Sequence, residues 1–432
     1  MKQFIVYCTR LAEIAAVLVY HCARFLCAMA VCRRARRATV AGERLASLFE
    51  DLGPAYIKIG QILSCRPDLL SPAFVAPLTR LQDCVRAVAV ADIVAEIERS
   101  FGQPLAQLFT HFDPCPVASA SIAQVHRATL ADGRIAAVKV RRPGVASRVS
   151  IDFELLRAGA AALAKLPFMR AMPVVELVDE IRVPVQMQLD FAREAENNRR
   201  LRAMFAYAER LRIPAIVEEL CTPTVLTMEF MADLQKTTCA ALDAARKREA
   251  AIAGLRALYK MIFVHGFVHA DLHPANILLN AQGELVMLDT GLVAVLSEED
   301  RRRFVDFFFG LVNNRGLECA RIVLEMALYR TPSCDESGFE EAMVRLIARH
   351  SALKSREFEV TRFVQELIEL QRKCGIRGST NFIMTVLSMV VYDGICKLLY
   401  PECNFQAEAR PFLIVGRYTS GPKARQHYAV SA

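Results

Sequence analysis

The sequence predicts an α+β chain of two lobes behind a helical N-terminal extension, and three features carry that prediction. Short β-prone runs fill residues 106–140 and end in Arg134-Ile135-Ala136-Ala137-Val138-Lys139-Val140, directly after the turn signal Ala131-Asp132-Gly133. From about residue 231 onward the pattern is helical. One segment interrupts it: His269-Ala270-Asp271-Leu272-His273-Pro274-Ala275-Asn276, then an apolar strand-like run, then Asp289-Thr290-Gly291. A chain of 432 residues is long enough for more than one core.

Taken in order, residues 3–32 predict a helix. At about 100° per residue its polar positions Arg10, Glu13, His21 and Arg24 fall in one narrow stripe. A broad apolar face remains, formed by Leu11, Ala15, Leu18, Val19, Cys22, Phe25 and Leu26. The longest run free of formal charge, Ile14 to Ala23, is ten residues. A span needs about 20 apolar residues, so an amphipathic helix is expected instead. The basic run Arg33-Arg34-Ala35-Arg36-Arg37 follows and suits an anionic leaflet, although a helix packed on the protein's own body fits the same pattern. No small-residue cleavage site stands out, and the apolar stretch Phe382–Tyr400 contains Asp393 and Lys397. The expectation is peripheral membrane association on the cytoplasmic side, with neither signal peptide nor span.

Residues 1–105 read as the extension, with helices at Gly42–Leu52, Ala55–Ser64, Val75–Cys84 and Val90–Ser100, proline-marked turns at 66–68 and 71–72, and Gly102 as the final stop. The β-rich lobe spans 106–230: after the hairpin come helical stretches at about 146–165 and 174–209, then strands Ile216–Glu219 and Thr224–Glu229. The helical lobe spans 231–400. Its helix Ala240–His265 is stopped by Gly266, and Ser297-Glu298-Glu299-Asp300 is a capping-box-like start for the next. Residues 401–432 read as a polar, proline-broken tail.

Composition narrows the function classes. The hydrophobic fraction is 54% and the mean hydropathy +0.26, which favours a membrane-facing or partner-facing surface. A net charge of +8 suits an anionic partner, but the chain has no zinc-finger spacing, basic heptad region or interleaved basic and aromatic residues, so nucleic acid is not expected. Fourteen cysteines occur without a C-x-x-C pair, which argues against a thiolate metal site and a disulfide scaffold.

The residues that carry chemistry are those of phosphoryl transfer. An aspartate, an asparagine five positions on and a second aspartate before glycine are the parts that position a nucleophile and hold magnesium on ATP phosphates. Asp271 would orient the acceptor hydroxyl or water, and Asn276 and Asp289 would hold Mg2+. Lys139 in Ala-Val-Lys is the natural lysine for the nucleotide phosphates. Its helix partner fits Glu194 best, with Glu196 also allowed by spacing. Where a glycine-rich loop is usual, this chain has Ala118-Ser119-Ala120-Ser121. Small side chains permit close backbone approach, and the Ser119 and Ser121 hydroxyls add donors for phosphate oxygens. In Leu226-Thr227-Met228-Glu229-Phe230-Met231 the succession suits a hinge at the adenine, with Met228 beside the base and Glu229 and Met231 next to it.

With these residues in place the chain resembles the UbiB/AarF family of atypical protein-kinase-like proteins over most of its length. The family hallmark Lys-x-Gly-Gln stands as Lys58-Ile59-Gly60-Gln61, preceded by Leu52-Gly53-Pro54-Ala55-Tyr56-Ile57 and followed by Ser64-Cys65-Arg66-Pro67-Asp68-Leu69-Leu70. Lys58 and Gln61, three apart, share a helix face. The resemblance implies a two-lobed protein-kinase-like fold whose extension packs over the active cleft, with Lys58 and Gln61 directed where a protein substrate would bind. It also implies ATP or ADP with a divalent metal, ATPase or small-molecule kinase activity, membrane association, and a link to ubiquinone biosynthesis and its proteins. Two departures bear on activity. Gln188 stands where the family usually has the first carboxylate of a Glu-x-Asp pair, with Asp190 retained, and Thr290 replaces the aromatic residue of Asp-Phe-Gly. Two readings follow: an ATP-dependent enzyme of isoprenoid-quinone or related lipid metabolism at a membrane surface, or a nucleotide-sensing scaffold that binds lipid or partner proteins without turnover.

Overall fold

The computed structural model describes residues 2–33, 36–64, 72–82, 87–166, 174–238, 242–331, 334–351 and 358–419. It divides into two compact units, Met1–Glu196 with Ala215–Phe230, and Asn197–Pro214 with Met231–Ala432.

The first unit opens with α1 (Lys2–Val31), α2 (Arg37–Leu52), α3 (Pro54–Ser64) and the short α4 (Pro72–Val75), which runs into a 3-10 segment at Ala76–Gln82. Helix α3 packs on α2 and the 3-10 segment at Gly60, where a Cβ would run into Leu81 and Phe49. The glycine of the Lys-x-Gly-Gln motif is therefore a packing requirement. Next come α5 (Val90–Phe101), ended by Gly102 in the left-handed region, and α6 (Leu105–Leu108). Strands β1 (His111–Ser119), β2 (Ala123–Thr129) and β3 (Ile135–Arg141) follow. Then come α7 (Val145–Leu163), α8 (Val174–Met187) and α9 (Phe191–Met204), whose C-terminal half is counted with the second unit. The two-residue β4 (Leu211–Arg212) belongs to the second unit, and β5 (Val225–Glu229) returns to the first.

The sheet runs β1-β2-β3-β5, antiparallel throughout, with irregular register in β1 between Phe112 and Ala118. Period-two alternation in β3 sends Ala136, Val138 and Val140 into one core with Ile93 and Ile97 of α5. Lys139, one residue out of phase, belongs to the other face. A second core lies among α1, α2, α3, α7, α8 and α9, built on Phe49, Tyr56, Phe153, Val185 and Phe191.

Helix α1 has an inverted amphipathic arrangement. Its inward stripe is Tyr7, Arg10, Ile14, Val17 and His21, while Phe4, Leu11, Leu18, Val19, Phe25 and Leu26 are exposed. The expected polar stripe exists, but two of its members are what ties the helix down. Arg10 donates to both oxygens of Asp152 on α7 and to the Leu52 carbonyl ending α2, and His21 pairs with Asp51 at 2.8 Å. By length and composition alone α1 could cross a membrane, as could Asn381–Leu399, but the latter is a core helix of the second unit.

The second unit continues with β6 (Gln235–Lys236) and α10 (Ala244–Tyr259), N-capped by Asp243. A π-helical turn at Lys260–His265 follows, ended by Gly266 at φ +59°. Short strands β7 (Phe267–His269), β8 (Ile277–Leu279), β9 (Leu285–Met287) and β10 (Val293–Val295) come next. They pair as β7 with β10 and as a sheet of order β4-β9-β8-β6. The remaining elements are α11 (Glu298–Val312), α12 (Gly316–Glu325), β11 (Ala327–Arg330), α13 (Glu336–Ser351), α14 (Val360–Lys373), β12 (Ile376–Gly378), α15 (Thr380–Leu399) and α16 (Phe405–Thr419). Ser297 caps α11 by accepting from the Asp300 amide. Tyr259, Phe304, Phe339, Phe363 and Tyr392 centre the core.

The structure revises several sequence expectations. The helical stretch 174–209 is two helices, because Asp190 accepts from the amides of Ala192 and Arg193 and starts α9 afresh. Ile216–Glu219 is a single bridge from Ile216 to Met228 followed by a 3-10 turn at Glu218–Leu220. The helical run to 400 contains β11 and β12, an antiparallel pair brought together across α13 and α14, and the tail contains α16, which buries Phe405, Ala409 and Leu413 at four-residue spacing. Arg34, Ala35, the turns at 66–68 and Ser71, the end of Val75–Cys84 and the start of Ala240–His265 lie outside the described residues.

Candidate active site

In the first unit, β3 and α9 bring Lys139 and Glu194 together. Lys139 Nζ lies 2.7 Å and 2.9 Å from the two Glu194 oxygens, with the residues 8% and 2% exposed. A charge taken so far out of water requires an equally buried counter-charge. Of the two carboxylates the spacing allowed, Glu194 is the one held against Lys139. Phe191 lies under the ammonium at 5.2 Å.

The loop joining β1 and β2 carries Ser119, Ala120 and Ser121. Ser119 Oγ accepts from Arg142 Nη2 at 2.8 Å, and the Ala120 carbonyl accepts from Arg142 Nε at 2.8 Å. Ala118 and Ala120 are exposed. Ser121 is 3% exposed, and its hydroxyl has no hydrogen-bond partner. The loop's strands are held by Gln124, which accepts from the Val88 amide, and by the buried His126, which bonds to the Asp113 carbonyl at 2.9 Å. Further along the sheet, Met228 is buried on β5, and Glu229 Oε2 accepts from the Ala215 amide at 3.2 Å.

In the extension, Gln61 donates to the Leu81 carbonyl at 2.8 Å, so part of its amide is committed to the extension itself. Lys58 is half-buried on the same helix. Gln188 is buried just after α8, and Asp190 is the N-cap of α9, a role that its position before a helix could have signalled.

In the second unit the candidate segment is organised by His269, which is completely buried on β7. Its Nδ1 accepts from the Asp271 amide at 3.2 Å, and Nε2 bonds to the Asp289 carbonyl. Two different partners fix the tautomer, with the proton on Nε2. Burial lowers the His269 pKa, against the pull of Asp271 and Asp289 upward. Its own carbonyl accepts from Ser388 of α15 at 3.1 Å. In the sequence His269 marks only the start of a motif, and spacing gives no sign of this two-ended bonding.

Asn276 Nδ2 donates to the Asp271 carbonyl and to Oδ2, both at 3.0 Å. Carbonyls only accept, so the amide orientation is fixed and Oδ1 is the atom left for a cation. The Leu288 amide donates to the Asn276 carbonyl at 3.1 Å, which ties this loop to the residue before Asp289. Asp289 Oδ1 accepts from the Gly291 amide at 3.0 Å, and the Thr290 carbonyl accepts from Asn197 at 3.0 Å. Thr290 is buried, and Met231 is partly buried at the start of this unit's second segment. No group of three or more His, Cys, Asp or Glu is gathered as a metal cage among the described residues. One carboxylate with one amide oxygen is nonetheless the hard-oxygen donor set that magnesium accepts, since it keeps waters and phosphate oxygens as its other ligands.

Comparisons with known proteins identify the family. Residues 80–323 match the family described as ABC1 atypical kinase-like domain. The probable protein kinase UbiB of Shewanella halifaxensis is 32% identical over 391 residues, covering 88% of this chain and 71% of that one. Its counterpart in Vibrio cholerae is 31% identical over 381 residues, covering 86% and 70%. An uncharacterized Synechocystis protein, slr0889, is 32% identical over 345 residues, covering 76% and 84%. In fold the chain is similar to Rv3197 of Mycobacterium tuberculosis, solved in complex with erythromycin, with a TM-score of 0.57, 21% identity and coverage of 84% and 92%. The fold and the family match define an atypical kinase-like protein. The chain belongs to the UbiB/ABC1 family.

Proposed function

We propose that this protein binds ATP or ADP with magnesium and acts as an atypical kinase or ATPase that supports ubiquinone or related isoprenoid-lipid metabolism from a membrane surface. The observation that carries the reading is the buried His269, which holds the backbones of Asp271 and Asp289 at its two ring nitrogens. Both ring nitrogens are engaged by backbone groups, so the use of His269 is to fix two acidic segments in one geometry.

On this reading Lys139, held by Glu194, orders the nucleotide phosphates beside the Ala118–Ser121 loop, and Met228, Glu229 and Met231 serve the adenine. Asn276 Oδ1 and Asp289 hold magnesium. When bound, the metal would offset the charge of the nucleotide phosphates. Asp271, its Oδ2 oriented by Asn276, positions the acceptor hydroxyl or water. Lys58, Gln61, Gln188 and Asp190 restrict access to large substrates.

Support for the membrane setting comes from α1, whose ionic side faces the protein while Phe4, Leu11, Leu18, Val19 and Leu26 are 40% or more exposed. A helix held this way lays an apolar face on the lipid boundary, with the exposed Arg33, Arg36 and Arg37 beside it for anionic headgroups. The UbiB names of the relatives support the quinone pathway.

Phosphate release by the purified chain with anionic vesicles tests the proposal. Release above background, lost in Asp271→Asn, is the expected result. The neutral Gln188 and the buried Thr290 favour a second reading, a nucleotide-sensing scaffold. That reading holds if nucleotide binds but Asp271→Asn leaves release unchanged at background.

A further inference from the structure

Arg142, the residue just past β3, makes three bonds to the β1–β2 loop. Its main-chain amide donates to the Ile122 carbonyl at 2.9 Å, Nε donates to the Ala120 carbonyl and Nη2 to Ser119 Oγ, both at 2.8 Å. The loop is thus fastened on both sides of its tip by one side chain and one amide. In an ordinary glycine-rich loop the backbone is free to close over phosphates. Here each position carries a Cβ, and the loop is bound to the end of the strand that bears Lys139.

Two consequences follow for an anion at this loop. The Ala120 carbonyl, whose negative end would repel phosphate, is turned to a guanidinium. Ser119 Oγ, by accepting from Arg142, has its hydroxyl proton left to give. Next to them is Ser121, buried to 3% exposure with an unpartnered hydroxyl. A buried hydroxyl without a protein partner is costly, and an acceptor brought against this loop would relieve that cost.

We infer that Arg142 is a positioning residue that sets the Ala118–Ser121 loop for polyphosphate, acting through Ser119 and Ala120, with Ser121 Oγ as the donor that the phosphate chain satisfies. The inference rests on the nucleotide reading above and adds a specificity element to it. Lys139 supplies charge to the phosphates, whereas Arg142 supplies the shape of the loop that receives them. Lysine at position 142 keeps the charge but cannot reproduce the planar two-point fork.

Calorimetric titration of the full chain with ATP, ADP and adenosine, each with magnesium, tests this. For Arg142→Ala the ADP and ATP affinities should fall roughly ten- to a hundredfold, the range for losing a hydrogen bond to a charged group, with adenosine unchanged. Arg142→Lys should restore only part of that loss. Ser121→Ala, which removes a single hydroxyl from the folded lobe, should weaken ADP and ATP and spare adenosine. Equal losses for all three ligands, full rescue by lysine, or no change in either variant would overturn the inference while wild-type binding leaves the nucleotide reading intact. A wild-type chain that binds none of the three overturns the nucleotide reading and the inference with it.

Discussion

Replacing Arg10 by methionine should release α1 from the first unit at a cost that the structure sets. Arg10 donates to Asp152 at 2.6 Å and 3.0 Å, to the Leu52 carbonyl at 2.7 Å and to Glu13 at 3.0 Å. Asp152 has no exposed surface. Burial works against charge on Arg10, but the hydrogen bonds to Asp152 and Glu13 prevail and its pKa rises. At Asp152 burial is the larger effect, and the carboxyl titrates above its ordinary range despite Arg10. The intact pair therefore contributes little net stability, whereas removing half of it strands a buried carboxylate. Such a loss costs about 3–5 kcal/mol, while exchanging both partners for apolar residues is often close to neutral. Hydrogen exchange at α1 and α7 across a urea series measures this locally. Arg10→Met should expose both helices by that margin, and Arg10→Met with Asp152→Leu should return within about 1 kcal/mol of wild type. A single-variant effect below about 1 kcal/mol would refute the reasoning, because the pair would then behave as a surface salt bridge.

The other predictions concern the second buried pair, the thiols and pH. Glu194→Ala should destabilise the first unit by about 3–5 kcal/mol in urea denaturation, with Lys139→Met restoring most of it; additive losses would show that the two side chains are not a pair. Alkylation near pH 8 should label the exposed Cys8, Cys22, Cys27 and Cys115 and spare Cys319, whose thiol burial pushes up to about 12; rapid labelling of Cys319 in folded protein would contradict its place in the core. At Glu366 burial raises the pKa, but hydrogen bonds from Arg362 and His350, with Arg349 nearby, hold it below its ordinary value of 4.5. Its stabilisation is present above that value and fades as pH falls through the lower folded pKa, so Glu366→Gln should flatten the acid limb of the unfolding curve. An unchanged acid limb would remove Glu366 from the account.

Sequence legibility followed the range of the interactions involved. Gly102, Asp132-Gly133 and Ser297 act within a few residues, and the elements they bound were readable. Helix α8 stops at Met187 with neither glycine nor proline after it, and Asp190 caps α9 almost at once, so the helical pattern continues across the break. The amphipathic pattern of α1 shows which residues share a face but not which face turns inward, and the answer depends on Asp152, far along the chain. Phe405, Ala409 and Leu413 form a helix face that the polar residues around them masked. At the candidate site the residue types were legible from their spacing. The bonds of His269 and Arg142 were not, because each links backbone groups whose proximity only the fold creates.

The central claim is a magnesium-dependent nucleotide site that includes Asp289, and equilibrium binding of ADP and ATP tests it most directly. Binding should require magnesium, disappear on chelation, and be largely lost in Asp289→Asn even with magnesium present. Equal affinity with and without metal, in wild type and variant alike, would contradict it.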